Sequence, residues 1–313
     1  MLPSLKSWYL VCAASELKPG QVRAVEDLEP ALLVYRTRSG QLRASARFCP
    51  HLGTDLTKGQ VDGDGLTCPM HAWKFDGSGA CVESPGYAQP RRRLAQYPVL
   101  ERYGAIFVAT APDVGFEPAF VDLEASKALA LVGEPFDVGC AWHIAAANSY
   151  DTRHFATIHR RSFHGEPELS QPGPAQFQIR IHAGATGNGL RERVIRGWGR
   201  NSVQIRITNH GGTLLTVESK VRSMALHVLV SLYPLASGTR VRTLFAIPRG
   251  GLFDSLKLRW SMGRSLAFIA QDLRVLDGAR LDPDHAVLED EHLRRFYAWL
   301  PRRDAPALPP GAA

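Results

Sequence analysis

Long hydrophobic runs are missing from this chain. The longest apolar stretches, such as Leu226 to Ala236, are too short and interrupted for the roughly 20 residues of a spanning helix, so no membrane span is expected. A secretory leader is not expected either: Lys6, a short apolar run from Trp8 to Ala14, then Ser15 and Glu16 give no twin arginine and no clear cleavage pattern. Cysteine is scarce and odd in number, five in 313 residues, which excludes a disulfide-stapled secreted domain and fits a reducing compartment, with a cytoplasmic location as the expectation. No Gly-x-Gly-x-x-Gly follows a strand-like run, so any nicotinamide or flavin chemistry belongs to another chain. What is present is a globular composition, 45% hydrophobic and 21% charged, long enough for one large domain or two ordinary ones. Lys and Arg outnumber Asp and Glu, 37 to 30, so an acidic partner is plausible. The basic runs Arg91 to Arg93, Arg160-Arg161 and Arg302-Arg303 are scattered and match no nucleic-acid motif; they read as solvated surface, and no nucleic acid is expected as partner.

Up to about Val108 the sequence reads as short strands, Leu32 to Arg36, Leu42 to Phe48 and Ala105 to Ala109, separated by Gly, Pro and Asp turns. The turn-rich stretch 110–118 marks a domain boundary, giving domains at 1–115 and 116–313. In the second domain a helix is expected over Ala145 to His159. Alternating runs follow at 177–182, 203–208, 214–221, 225–233 and 240–247, as one antiparallel sheet with a polar and an apolar face. From Asp254 to Leu276 the period changes to three and four, through Leu266, Ile269, Leu273 and Leu276, as an amphipathic helix requires, and a last helix is expected over Asp284 to Leu300. The fold class is α+β, an all-β module followed by an antiparallel-sheet domain flanked by helices.

Cys49-Pro-His51 and, sixteen intervening residues later, Cys68-Pro-Met-His71 each place one thiolate and one imidazole on a tight loop. A [2Fe-2S] cluster with two thiolates on one iron and two imidazoles on the other needs this donor set. Zinc sites instead pair Cys with Cys and His with His. The stretches Cys49 to Leu56 and Leu66 to Phe75 resemble the Rieske domain of Rieske non-haem iron oxygenases. Respiratory Rieske proteins carry an extra Cys in each loop, joined as a disulfide across the cluster. Thr54 and Met70 stand at the comparable places, so the resemblance implies a cluster of the lower-potential, oxygenase or ferredoxin type. Cys12, Cys81 and Cys140 belong to no motif and read as small buried residues.

A second constellation lies in Asn148-Ser-Tyr-Asp151-Thr-Arg-His154-Phe-Ala-Thr-Ile-His159. Two His and a carboxylate can hold Fe(II) on one face with positions left open for O₂ and substrate. His154 and His159 are five apart, about 140° around a regular helix, so both face one metal only if the helix bends or ends between or beside them. Taken alone, two His on an apolar helix are commonly packed core residues. The whole pattern, however, resembles the oxygenase family's mononuclear iron motif, which implies His154 and His159 as iron ligands. By the same resemblance Asp151 is the family's bridging Asp, connecting an iron-ligand His to a cluster His of a neighbouring subunit, and Asn148 lies near the iron. The family's third ligand is a downstream carboxylate, implied here as Asp272, with Asp277 as the alternative and Gln271 replacing the usual acid before it.

The resemblance is closest to single-subunit-type enzymes such as vanillate demethylases, ketosteroid hydroxylases and cholesterol desaturases, which generally form homotrimers. It implies one Rieske cluster bound by Cys49, His51, Cys68 and His71, and one mononuclear Fe(II) per chain. Electrons would come from NAD(P)H through a separate ferredoxin or flavin reductase, and O₂ would hydroxylate, demethylate or desaturate a small hydrophobic organic molecule. Phe163, Phe177 and Trp198 are candidate apolar pocket walls that core packing explains equally well. Two rivals remain at this point: a Rieske electron carrier with a non-catalytic C-terminal domain, and a structural or nucleic-acid-binding protein.

Overall fold

In the computed structural model, residues 5–87, 92–185, 197, 201–281 and 290–300 are described. The chain forms two compact units, Met1–Val114 and Gly115–Ala313.

The first unit is all β. Its strands are β1 (Trp8–Ala13), β2 (Val22–Val25), β3 (Leu32–Arg36), β4 (Leu42–Ala46), β5 (Gln60–Asp62), β6 (Gly65–Thr67), β7 (Lys74–Phe75), β8 (Cys81–Glu83), β9 (Gln96–Tyr97), β10 (Val99–Arg102) and β11 (Ala105–Ala109). They form three antiparallel sheets, ordered β1-β11-β10, β2-β3-β4-β9 and β5-β6-β7-β8. The hairpin β5-β6-β7 needs glycine at Gly65, where a Cβ would lie 1.8 Å from the Phe75 carbonyl oxygen. Leu33, Tyr35, Leu56, Leu66, Trp73 and Phe75 make one apolar core, and Cys49 and Cys68 are part of it.

The second unit carries β12 (Ala128–Val132), β13 (Phe136–Val138), helix α1 (Trp142–Ala147), helix α2 (His154–Thr157), β14 (Arg161–Phe163), β15 (Glu168–Ser170) and β16 (Gln176–Ala185). Then follow β17 (Val203–His210), β18 (Leu214–Val221), β19 (Met224–Leu235), β20 (Gly238–Pro248), helix α3 (Asp254–Leu276) and helix α4 (Glu291–Trp299). The strands make one antiparallel sheet, β12-β20-β19-β18-β17-β16-β14, with β13 on β20 and β15 on β16. The α+β reading therefore holds, and α3 has the bounds its periodicity implied. Helix α3 lays Leu258, Met262 and Leu266 against Val217, Val228, Val230 and Phe245 of the sheet.

On the polar face of the sheet Gln178, Thr208, His210 and Thr216 are buried, with Phe116 against His210 and Phe120 against His227. One expectation needs correction. The helix expected over Ala145 to His159 is broken into α1, a 3₁₀ turn at Asn148–Tyr150 and α2. Asp151 is extended at the break (φ −73°, ψ 102°), and its carboxylate Oδ1 accepts the backbone N–H groups of Arg153 (2.9 Å) and His154 (3.3 Å). That local competition of Asp with the helical ladder opens the chain and starts a new turn. The last helix begins at Glu291, capped by Asp290; the earlier part of the expected helix, 284–289, lies outside the described residues.

Candidate metal centres

In the first unit two tight loops have the same construction. The Cys49 N–H donates to the Thr54 carbonyl and its carbonyl accepts from Gly53 N–H, both at 2.9 Å; the Cys68 N–H donates to the Trp73 carbonyl at 2.8 Å and its carbonyl accepts from Ala72 N–H at 3.1 Å. Each loop turns on one left-handed residue, Gly53 (φ 73°) and Ala72 (φ 53°). The Cys therefore points into the core, while the His two or three residues later lies at the half-buried rim. His51 and His71 have ring centroids 4.8 Å apart, His51 stacks flat on Trp73 at 4.2 Å, and Tyr87 meets it edge-on at 5.1 Å. Thr54 and Met70 touch across the two loops, the hydroxyl donating to the thioether at 3.2 Å. Arg47 binds Asp55 at 2.7 Å below the first loop, and Arg92 donates to the Pro50 carbonyl, so two of the basic residues serve the loops.

Burial pushes the Cys49 thiol up to about 11, opposed by a backbone hydrogen bond from His51 and reinforced by the adjacent Cys68. Thiolates paired in a core are disfavoured without a cation between them, and the two imidazoles stand together at the rim. Two thiols on one side and two imidazoles on the other fit the cluster's division of ligands. Cys12, Cys81 and Cys140 are buried free thiols, as their lack of a motif suggested.

In the second unit His154, His159 and Asp272 bring one donor atom each to within 4.8 Å of one another. His159 Nε2 lies 2.8 Å and His154 Nε2 3.9 Å from Asp272 Oδ1. Yet His159 Nε2 and Asp272 Oδ1 are buried without a properly directed hydrogen bond. Three donor atoms gathered this closely, two of them unspent on hydrogen bonds, are what a metal site requires, and this donor set suits ferrous iron. The angular difficulty of His154 and His159 is resolved because α2 ends at Thr157 and Arg160 turns left-handed (φ 52°). His154 Nδ1 lies 2.5 Å from the Asp151 carbonyl oxygen, which fixes its proton there and leaves Nε2 for the metal. Burial lowers the pKa of His154, against the pull of Asp272, and so keeps the imidazole neutral and coordinating.

Asp277 is placed elsewhere: it ends α3, and its Oδ1 accepts the Gly139 N–H at 2.9 Å. Asp151 faces the ligand turn by its backbone bonds, and Asn148 is half-buried in the 3₁₀ turn. Of the suggested pocket walls, Phe177 is fully buried against Tyr150, Phe296 and Trp299, Phe163 packs on Phe155, and Trp198 lies outside the described residues.

Several positioning residues carried no motif. Phe268 stacks on the His159 ring at 3.6 Å; it stands four residues before Asp272, hence on the same helix face, a spacing that could have found it. Tyr150 is completely buried, its hydroxyl donating to the Phe177 carbonyl (2.8 Å) and accepting from Asn209 N–H (3.1 Å), which moors the ligand segment to the sheet. Thr152 donates to Asp290 Oδ2 at 3.0 Å and ties the same segment to the cap of α4.

Comparison with known proteins agrees with this geometry. Residues 7–98 match the Rieske [2Fe-2S] domain family. The oxygenase component of 3-ketosteroid-9-alpha-monooxygenase from Rhodococcus rhodochrous is 30% identical over 121 residues, 38% of this chain and 31% of the relative. The 5,5'-dehydrodivanillate O-demethylase oxygenase subunit of a Sphingobium species is 28% identical over 201 residues, 59% of this chain and 46% of the relative. These matches thus span less than half of either relative. Among solved structures, Pseudomonas putida NdmA with caffeine superposes with a TM-score of 0.72 at 21% identity, covering 93% of this chain and 88% of that one. Dicamba monooxygenase bound to dicamba gives 0.67 at 21% identity, covering 94% and 95%. At that identity the likeness is one of fold, and it extends over both units.

Proposed function

We propose that this chain, whose residues 7–98 are a Rieske [2Fe-2S] domain, is the oxygenase component of a Rieske non-haem iron system. It would draw electrons from NAD(P)H through a separate ferredoxin or flavin reductase, assemble as a homotrimer, and hydroxylate, demethylate or desaturate a small apolar molecule with O₂. The observation that carries the reading is the presence in one chain of both donor sets, the Cys49-His51-Cys68-His71 loops and the His154-His159-Asp272 cluster. A carrier has no use for the second.

When bound, the cluster supplies single electrons and the ferrous ion supplies open positions at which O₂ is activated. The chain's own residues do the rest. Asp151 fixes the His154 tautomer through its carbonyl and the turn through its carboxylate. In the proposed trimer that carboxylate would also meet a cluster imidazole of the neighbouring subunit, and Asn148 would stand beside the iron. Phe268 and Phe155 pack on His159 and exclude water from one flank of the site.

An apolar substrate is in keeping with the 3-ketosteroid in the name of one relative. Anaerobically reconstituted protein, chemically reduced and then mixed with O₂ and a panel of neutral steroids, neutral aromatics and aromatic acids, tests the reading. Cluster oxidation coupled to a hydroxylated, demethylated or desaturated neutral product is expected. Iron stoichiometry that stops at the cluster, with no product from any substrate, would leave an electron carrier.

A further inference from the structure

The outer face of α3 gathers several exposed apolar side chains on one element. Leu252 is 98% exposed, Phe253 and Leu256 66% each, and Trp260 58%. At 100° per residue, Phe253, Leu256, Trp260, Gly263 and Ala267 fall on one stripe, with Asp272 and Leu258 on the opposite side of the helix. Arg259 lies along one edge of the stripe and Lys257 and Arg264 along the other, while Arg249 precedes the turn that presents Leu252. The Arg264 guanidinium sits over the Trp260 ring at 4.6 Å. Between Arg249 and Arg264 the sole acid is Asp254, which is buried, its Oδ2 accepting the N–H groups of Gly250 and Gly251 at 2.7 Å and its Oδ1 meeting Lys257. The exposed face is therefore apolar at its centre and cationic at both edges, and between Arg249 and Arg264 its sole acid, Asp254, is engaged by Lys257 and by backbone amides.

We propose that this face, Leu252 to Arg264, is a docking surface for an anionic phospholipid bilayer, on which the protein lies without crossing it. Apolar side chains that protrude fully from a turn gain most by entering the headgroup and acyl boundary, and flanking Arg and Lys stay at the phosphates. Charge complementarity selects the occupant. A second copy paired two-fold through this face would set Arg259, Arg264 and Lys257 against their own equivalents, and in a cyclic trimer, where unlike faces meet, the face would need an acidic patch opposite it, whereas anionic headgroups neutralise all three. The proposal does not depend on the substrate or on the oxygenase reading, because it uses no residue of either metal centre.

The test is sedimentation of the cluster-loaded protein with vesicles of phosphatidylcholine alone and of phosphatidylcholine doped with phosphatidylglycerol. Binding to the doped vesicles at low salt, falling at least about tenfold on neutral vesicles or in high salt, is expected, since each basic residue near the surface contributes about a fivefold factor and several act together. Leu252→Asp with Trp260→Ser should abolish it while the cluster absorption and the far-ultraviolet circular dichroism stay unchanged, because these side chains face water. Arg259→Gln with Lys257→Gln should weaken binding and reduce its salt dependence, with Arg249 and Arg264 remaining. Equal binding to neutral and anionic vesicles, or full binding by the Leu252→Asp, Trp260→Ser protein, overturns the proposal. So does a change in solution mass by light scattering in that variant, which would make the face an interface between copies. Reductase-dependent activity lost in the variant without vesicles present would point to an acidic protein partner and equally overturn it.

Discussion

The two candidate metal centres are built by opposite strategies. In the first unit all four donors come from two short loops, and each loop is closed by its own Cys backbone. In the second, two donors come from a broken helix and the third from α3 far downstream, and the three meet only because packing brings them together. The first centre is a local structure set on a core; the second is a product of the whole domain. Loss of one ligand should therefore be felt differently in each, and perturbations remote from the metal should reach the second centre far more than the first.

The sharpest break is Cys68→Ala. Its thiol is part of the core of the first unit, and metal binding also organises the loops, so the Rieske absorption should vanish entirely while mononuclear iron in the second unit remains measurable by iron assay. A Cys68→Ala protein with a normal spectrum would end the cluster assignment. The complementary substitution, Asp272→Ala, should remove the mononuclear iron and leave the cluster spectrum unchanged. Asp277→Ala should retain both metals, since its carboxylate only accepts the Gly139 N–H. Retention by Asp272→Ala with loss by Asp277→Ala would reverse the choice of third ligand.

A smaller effect separates local from tertiary construction. Tyr150→Phe leaves a buried N–H of Asn209 and a carbonyl of Phe177 without the hydroxyl between them, at a cost of about 1–3 kcal/mol. Thermal unfolding followed in the second unit should shift down, and iron should dissociate faster under a chelator, with the cluster spectrum unmoved.

The smallest expected contrast is in acid. Burial holds His210 down at about 4 from its ordinary 6.5, so its folded form binds fewer protons than the unfolded chain; the stability it contributes is complete above 6.5 and is lost as pH falls toward 4. Asp55 is held at about 2 from 3.8, chiefly by the Arg47 hydrogen bonds and then by Thr57; its contribution is present above 3.8 and is lost as pH falls through 2. Near-ultraviolet circular dichroism should show the second unit weakening first. His210→Gln should flatten stability between pH 6.5 and 4, and Asp55→Asn should flatten it only below 3.8.

The Cys-x-His and Cys-x-x-His spacing, the strands Leu32–Arg36, Ala105–Ala109 and Leu214–Val221, and helix Asp254–Leu276 were all legible in the residues, because loop ligands, alternation and a 3.6 period are properties of neighbours along the chain. The break at Asp151 was half legible. The five-residue spacing of the histidines demanded that the helix bend or end, but which carbonyl and which amides took over was decided by the fold. The choice of Asp272 over Asp277 needed the helix set against the sheet, since both acids sit near one end of α3 and only its rotation turns one toward the histidines. Phe268 on His159, Tyr150 between Phe177 and Asn209, and Thr152 on Asp290 left no motif, because side chains recruited from separate elements are ordered by packing and carry no shared spacing. The sequence alone thus determined the four donors of the first candidate centre and the two histidines of the second; the tertiary structure decided which acid joins them and which residues hold that site in place, because it exists only where distant surfaces close on each other.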